Sequence, residues 1–151
     1  MNQPYPKVGV GIIVIKKRGS KSFVMLHQRK GSHGKGYWGS GGGHLELGES
    51  LKDGALRELR EEAGEAVAVD DVKLLGVVNF TGMQPKHYVD ISFVANWVSG
   101  EPTNNSPKET TDWQWFELEK LPKPLFPPVE KYLVALKTGQ NFFDDSFDSA
   151  R

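Results

Sequence analysis

The sequence predicts an α/β fold, a mixed sheet with helices packed on it, built by one domain. Three observations carry that expectation. Strand-like segments rich in β-branched residues precede and follow one strongly helical segment, and a second short helix comes near the C-terminus. No internal repeat and no shift in composition marks a second domain. A chain of 151 residues can bury a core without disulfides or a structural metal. The domain is expected over residues 4–140, with 141–151 as a frayed C-terminal tail.

The elements follow in order. Val8 to Ile15 reads as a strand, "KKRGSK" as a turn and "FVMLHQR" as a second strand, which together make an opening hairpin. Residues 30–48, "KGSHGKGYWGSGGGHLELG", hold eight glycines and little apolar periodicity, so a long loop is expected there. Loops of that length in compact domains usually serve function. From Ser50 to Ala63, strong helix formers set Leu51, Ala55, Leu59 and Ala63 four residues apart, and Gly64 ends the helix. "VKLLGVVNF" and "HYVDISFVANWV" are strands around the turn "TGMQPK". The polar stretch "GEPTNNSPKETTD" is a surface loop, "WQWFEL" alternates like a strand, and the turn "LPKPLFPP" leads into a short helix over 129–137.

Charge and composition exclude several functions. Lys plus Arg and Asp plus Glu are both 19, so no global basic field is available to hold a nucleic-acid polymer. An anion must be gripped locally. With no cysteine there is no disulfide framework, thiol catalysis or zinc–cysteine site, which points to the cytoplasm. The N-terminal apolar run is short and its positive charges follow it, the wrong layout for a secretory signal. No apolar stretch approaches the roughly 20 residues of a membrane span, so no membrane partner is expected.

The helical segment "RELREEAGE" places Glu58, Glu61 and Glu62 at i, i+3 and i+4, on one face. Like charges at this spacing oppose the helix by about 0.2–0.5 kcal/mol per pair. Arg57 relieves some of this through Glu61, one turn on. Taken alone, the stretch reads as a solvated surface helix. A hard divalent cation is the other way to hold three carboxylates together, since Mg²⁺ takes oxygen ligands and bridges carboxylates to substrate phosphates.

The upstream spacing decides between these. From Gly43 the chain runs G-x5-E-x7-R-E-L-x-E-E-x-G, filled by Gly43, Glu49, Arg57, Glu58, Leu59, Glu61, Glu62 and Gly64. This resembles the Nudix box, the signature of the Nudix (MutT-like) hydrolases, and a chance match is on the order of one in 10⁸ per starting position. The segments "VGVGIIVI", "HQRKGSHGKGYW", "GGHLELGES", "HYVDISF" and "WQWFELEKLPKPLF" extend the resemblance over most of residues 8–138. They are similar to the small nucleoside-triphosphate diphosphatases of that family. Two positions depart from its pattern. Glu65 stands where an aliphatic residue normally follows the box, so that either Val67 takes the core position or Glu65 adds an acidic ligand. Gly41 replaces a proline before the paired glycines, which makes that loop less rigid.

The resemblance implies an α/β/α sandwich whose loop–helix–loop holds Mg²⁺, or Mn²⁺ as substitute, against a diphosphate. By the same resemblance Glu58, Glu61, Glu62 and the carbonyl of Gly42 are the metal ligands. Glu49 and Arg57 pair to brace the loop against the helix, with Glu46 supporting them. The proton of the attacking water falls to Glu61 or Glu58, or to an acid before Trp113, where Glu109 and Asp112 stand. Substrate contacts are expected from Gly43, His44, Arg29 and Lys30, with Phe126 and Trp115 as candidates to stack on a base. Trp113 and Trp115 point the same way by alternation, towards the core on the simpler reading. Asp90 sits mid-strand, where an acid is normally avoided and relatives tend to have a neutral hydroxyl; it either faces solvent or hydrogen-bonds a base edge. His33, His44 and His87 read as loop residues rather than ligands, because the ion site is oxygen-rich. The implied activity is hydrolysis of a normal or oxidised nucleoside triphosphate to the monophosphate and pyrophosphate. Nucleotide sugars, ADP-ribose, dinucleoside polyphosphates and small isoprenoid diphosphates are the alternative substrates, and a non-catalytic nucleotide-binding module is disfavoured by the intact glutamates. A homodimer is compatible with the resemblance.

Overall fold

The sheet is organised around β1 (Lys7–Arg18), whose alternation serves two layers at once. Val10, Ile12 and Val14 enter one core, Ile13 and Ile15 the other, and all five are buried. In this computed structural model, residues 4–32, 34–83 and 86–144 are described. His33 and part of the turn "TGMQPK" therefore lie outside the described residues, as does most of the expected tail.

The far end of β1 forms the expected hairpin with β2 (Lys21–Gln28), and its near end pairs with β4 (Gly41–His44) on the same edge. Between these, β3 (Trp38–Gly39) pairs with β2. The helix α1 (Leu51–Ala63) comes next, then the long antiparallel pair β5 (Ala68–Met83) and β6 (Lys86–Ser99). β6 runs parallel to β1. β7 (Gln114–Glu117) pairs with β2, α2 (Pro127–Thr138) follows, and β8 (Phe142–Phe143) runs parallel to β5. The order is β3-β2-β1-β6-β5-β8, a mixed sheet with one helix on each face, which is the expected sandwich.

Each helix sits where its apolar stripe dictates. Ala55, Leu59 and Ala63 of α1 are buried with Val10, Ile12, Val14 and Phe93, whereas Leu51, at the helix start, is 36% exposed. On the other face Val129, Tyr132 and Leu133 of α2 pack with Ile13, Leu26 and Phe80. Trp113 is buried in the α1 layer and Trp115 packs against it, so both tryptophans serve that core.

Two expectations are corrected. The stretch 30–48 is not wholly loop, since β3 and β4 lie within it. Sequence periodicity could not show β4, because three of its four residues are glycine. The strand forms through backbone approach: a Cβ on Gly42 would stand 2.8 Å from the Val10 carbonyl oxygen and 3.2 Å from Gly11 Cα. The sheet also continues past residue 140. β8 lies in the segment expected as tail, and Phe143 is buried in the α2 layer because it can pair beside Val78.

That tight approach is testable. Gly42→Ala must push β4 off β1, so we expect a loss of about 1–3 kcal/mol in stability, read as a lower midpoint in urea melts with an unchanged slope.

Candidate active site

The polar face of α1 meets β4 because the apolar face has no other place to go. Ser50 caps the helix by accepting from the Asp53 N–H at 3.1 Å, and Gly64, at φ 87°, ends it with its N–H on the Arg60 carbonyl. One turn of that face then carries Arg57, Glu58, Glu61 and Glu62 against residues 41–49.

Arg57 joins the pieces. Its Nε and Nη2 donate to the two oxygens of Glu49 at 3.0 and 2.8 Å, a bidentate pair between helix and loop. Nη2 also donates to the His44 carbonyl at 2.9 Å. Nη1 donates to Glu58 at 2.9 Å and reaches Glu61 at 3.2 Å, with Glu46 at 3.6 Å. The hydrogen bonds from Arg57 hold the Glu49 carboxyl at about 2, below its ordinary 4.5, and Glu49 raises Arg57 in return.

Glu62 turns inward, and its Oε1 accepts from the Gly42 N–H at 2.7 Å. Burial, then the charges of Glu58 and Glu61, push its carboxyl up to about 8 against that hydrogen bond. The Glu58 carboxylate fills the space where a Cβ on Gly43 would stand, so only glycine fits there. Among the described residues, no three His, Asp or Glu side chains stand ready as an ion cage. The bonds explain why: Glu58 and Glu61 lie on Arg57, and Glu62 on Gly42. The donor set nevertheless fits a hard cation. It is all oxygen, and the charges of Glu58 and Glu61 raise the cost of ionising Glu62.

Beside this cluster opens a cleft of about 250 Å³ between β4 and α2. Gly41, Gly42, Gly43 and His44 form one rim, and Arg29, Phe126, Tyr88, Asp90 and Tyr132 lie around the rest. The Arg29 guanidinium lies 4.3 Å from the centre of the Phe126 ring. His44 Nε2 is 3.1 Å from the Tyr88 hydroxyl.

Comparison with known proteins agrees with this architecture. The NUDIX domain family matches residues 5–136. The chain belongs to the Nudix family. It is 34% identical over 125 residues to the mouse (Mus musculus) protein named oxidized purine nucleoside triphosphate hydrolase, covering 82% of this chain and 77% of that one. It is 30% identical to the NAD-capped RNA hydrolase NudC of Haemophilus influenzae, over 84% of this chain but 46% of the relative, so it spans about half of that protein's length. Among solved structures, a MutT Nudix hydrolase from Burkholderia pseudomallei superposes with a TM-score of 0.76 at 30% identity, covering 87% of this chain and 98% of that one. Hydrolysis of phosphoanhydride bonds is the activity of this family.

The Nudix site gathers most residues that the sequence singled out, but not all. Glu49, Arg57, Glu58, Glu61, Glu62 and Gly42 cluster at α1, while Arg29, Gly43, His44, Asp90 and Phe126 line the cleft. Trp115 does not line it. Its ring packs against the α1 layer and under the Lys16 ammonium at 4.0 Å, because β7 presents it to the face opposite Phe126. Lys30 is exposed at the strand end and donates to the Pro107 carbonyl at 2.7 Å, outside the cleft. Glu65 is exposed in the turn after α1, and Val67 fills the core. Asp112 is exposed, whereas Glu109 is close enough for its charge to act on Arg29. The cleft also uses Tyr88 and Tyr132, which sequence reasoning passed over. Tyr132 reads as core by helical periodicity, and only its hydroxyl, on an otherwise apolar face, could have marked it.

Two outcomes follow from the electrostatics. The Glu49 carboxyl is lowered in the fold, so its contribution is present above about pH 4.5 and lost as pH falls towards 2. Glu49→Gln should lower Tm by a few degrees at pH 7, with the gap to the parent closing in melts taken down to pH 3. Asp90 behaves in the opposite sense. Burial pushes its carboxyl from 3.8 up to about 6, so the fold holds a proton that the unfolded chain has released, and stability falls as pH rises through that window. The penalty at pH 7.5 is on the order of 1–3 kcal/mol. Asp90→Asn should therefore raise Tm at pH 7.5 and leave it unchanged at pH 4.

Proposed function

We propose that this Nudix domain hydrolyses a nucleoside triphosphate, purine-based and normal or oxidised, to the monophosphate and pyrophosphate, with Mg²⁺ as cofactor and Mn²⁺ as substitute. The observation that carries the reading is the junction of the Glu58–Glu61–Glu62 face with an aromatic-walled cleft that holds Arg29. Similarity to the mouse hydrolase over most of both chains supports the substrate class. The similarity to NudC weighs less, since this chain matches under half of that relative.

Glu58, Glu61, Glu62 and the Gly42 carbonyl would hold the cation. Once bound, it supplies a water of lowered pKa and charge neutralisation for a diphosphate. The chain's own residues do the rest. Arg29 at the cleft wall faces the phosphates with a planar fork of donors. Phe126 and the glycine rim line the part of the cleft open to a base. Arg57 holds Glu58 and Glu61 at the mouth, and the exposed carboxylate of Glu61 is the group best placed to take a proton from water, with Glu109 beside Arg29 as the second acid in reach. The absence of cysteine supports a reducing, cytoplasmic setting. No helix among the described residues is long and apolar enough to cross a membrane.

A panel of normal and oxidised (d)NTPs with Mg²⁺, scored for pyrophosphate release, tests the reading. We expect release from at least one purine nucleotide, and none from the entire panel would remove the proposal. Glu61→Gln should lower kcat by roughly 10²–10⁴-fold with an unchanged circular dichroism spectrum, as expected when a proton acceptor at the reacting centre is lost. A variant retaining full turnover would assign that role elsewhere.

A further inference from the structure

The far end of the cleft holds two polar groups without partners. Asp90 sits mid-strand on β6, and among the described residues its carboxylate makes no hydrogen bond and no ion pair. The Tyr132 hydroxyl, from α2, is buried and has no hydrogen-bond partner either. Both line the cleft, and they are near enough for the charge of Asp90 to act on Tyr132. A half-buried carboxylate desolvated by its surroundings and a buried hydroxyl left unpaired are each costly, so their persistence side by side in a cavity marks a place where a ligand completes them.

The sheet fixes Asp90 in position. Gly9 is its neighbour in the parallel register, and Asp90 Oδ1 occupies the space in which a Cβ on Gly9 would stand. The carboxylate therefore lies over the β1 backbone, and glycine at position 9 makes room for it. The walls of the cleft include Phe80, Phe126, Pro128 and Val129, which suit a flat heteroaromatic ring, and Lys86 also lines it. Burial alone accounts for the raised carboxyl of Asp90, at about 6, so near neutral pH it is ionised and acts only as an acceptor.

That arrangement discriminates among bases. An ionised carboxylate facing a base needs two adjacent N–H donors, one for each oxygen. The 2-amino-6-oxopurine edge supplies N1–H and N2–H side by side, with a carbonyl at O6 for a hydroxyl donor. Hypoxanthine keeps N1–H but lacks N2–H, adenine has neither and sets its N6 amino group beside a bare N1 acceptor, and uracil flanks its one N–H with carbonyls. Cytosine sets its amino group beside a lone pair.

Resting on the proposed nucleotide reading, we infer that Asp90 and Tyr132 are the specificity-determining pair of this cleft and select a guanine-type base, with Asp90 accepting from N1–H and N2–H and Tyr132 donating to O6. The edge they read is remote from C8, so the class is 2-amino-6-oxopurines whether or not C8 is oxidised.

The test is isothermal titration of the full chain with GMP, IMP and AMP in metal-free buffer, which needs no turnover. The native protein should bind GMP about tenfold or more tightly than IMP or AMP, as befits charge-assisted hydrogen bonds left unmade by the other bases. Asp90→Asn should weaken GMP by a similar factor and bring the three affinities together. Tyr132→Phe, which removes only the hydroxyl, should weaken GMP and IMP, both of which carry O6, and leave AMP unchanged. Equal native affinities, or an Asp90→Asn protein that keeps the native GMP:IMP:AMP ratios within about twofold, would overturn the inference. If instead the GMP preference follows Asp90 while no triphosphate releases pyrophosphate, the base-reading pair stands and the hydrolytic reading falls.

Discussion

The site depends on one guanidinium. Arg57 is the only basic side chain among the described residues that touches the loop, the edge strand and the acidic helix face together, through Glu49, the His44 carbonyl, and Glu58 with Glu61. A lysine could supply the charge but not the geometry, because a single ammonium cannot chelate Glu49 while also reaching three other oxygens in fixed directions. The consequence reaches beyond the pair itself. By anchoring residues 44–49 to the helix, Arg57 sets where β4 ends, and so where the Gly42 backbone stands relative to Glu62.

A second constraint makes that arrangement possible. β4 carries its glycines where side chains would collide, with the β1 backbone at Gly42 and with the Glu58 carboxylate at Gly43. The strand can thus pair with β1 while lying against α1, with the Gly42 N–H donating to the Glu62 carboxylate. The layers on either side hold it there. Leu59 and Ala63 bury α1 against β1, and any slip of the helix that separated Glu62 from Gly42 would open that packing as well.

Much of this was legible in the sequence because the relevant signals are local. The helix, its stop at Gly64 and the spacing of Arg57 with Glu58, Glu61 and Glu62 all follow from residues within one segment. The opening hairpin and the β5–β6 pair were readable from alternation. What was not legible is long-range or lacks a side-chain signature. β4 has no apolar pattern to read, and β8 is two residues whose strand character exists only beside β5. Alternation correctly gave Trp113 and Trp115 the same direction, but it could not say which of the two sheet faces that was. Trp115 therefore fell outside the cleft while Phe126, from a turn, fell inside. Asp90 was visible as an anomaly, an acid in a strand, but its unpartnered state could only be seen once β1 and α2 were placed around it.

The two ends of the cleft also fix how a ligand can lie. The face of Glu58, Glu61 and Glu62 repels a bare phosphate unless a cation stands between, and Arg29 draws anionic groups to that side. At the other end Asp90 makes no ion pair among the described residues, although Lys86 also lines the cleft, so a phosphate placed against Asp90 would set a second anion beside a desolvated carboxylate. On the proposed reading, a nucleotide lies with its phosphates towards α1 and its base towards Asp90 and Tyr132. On that reading the Asp90 charge that weakens the fold above pH 6 also disfavours the reversed placement.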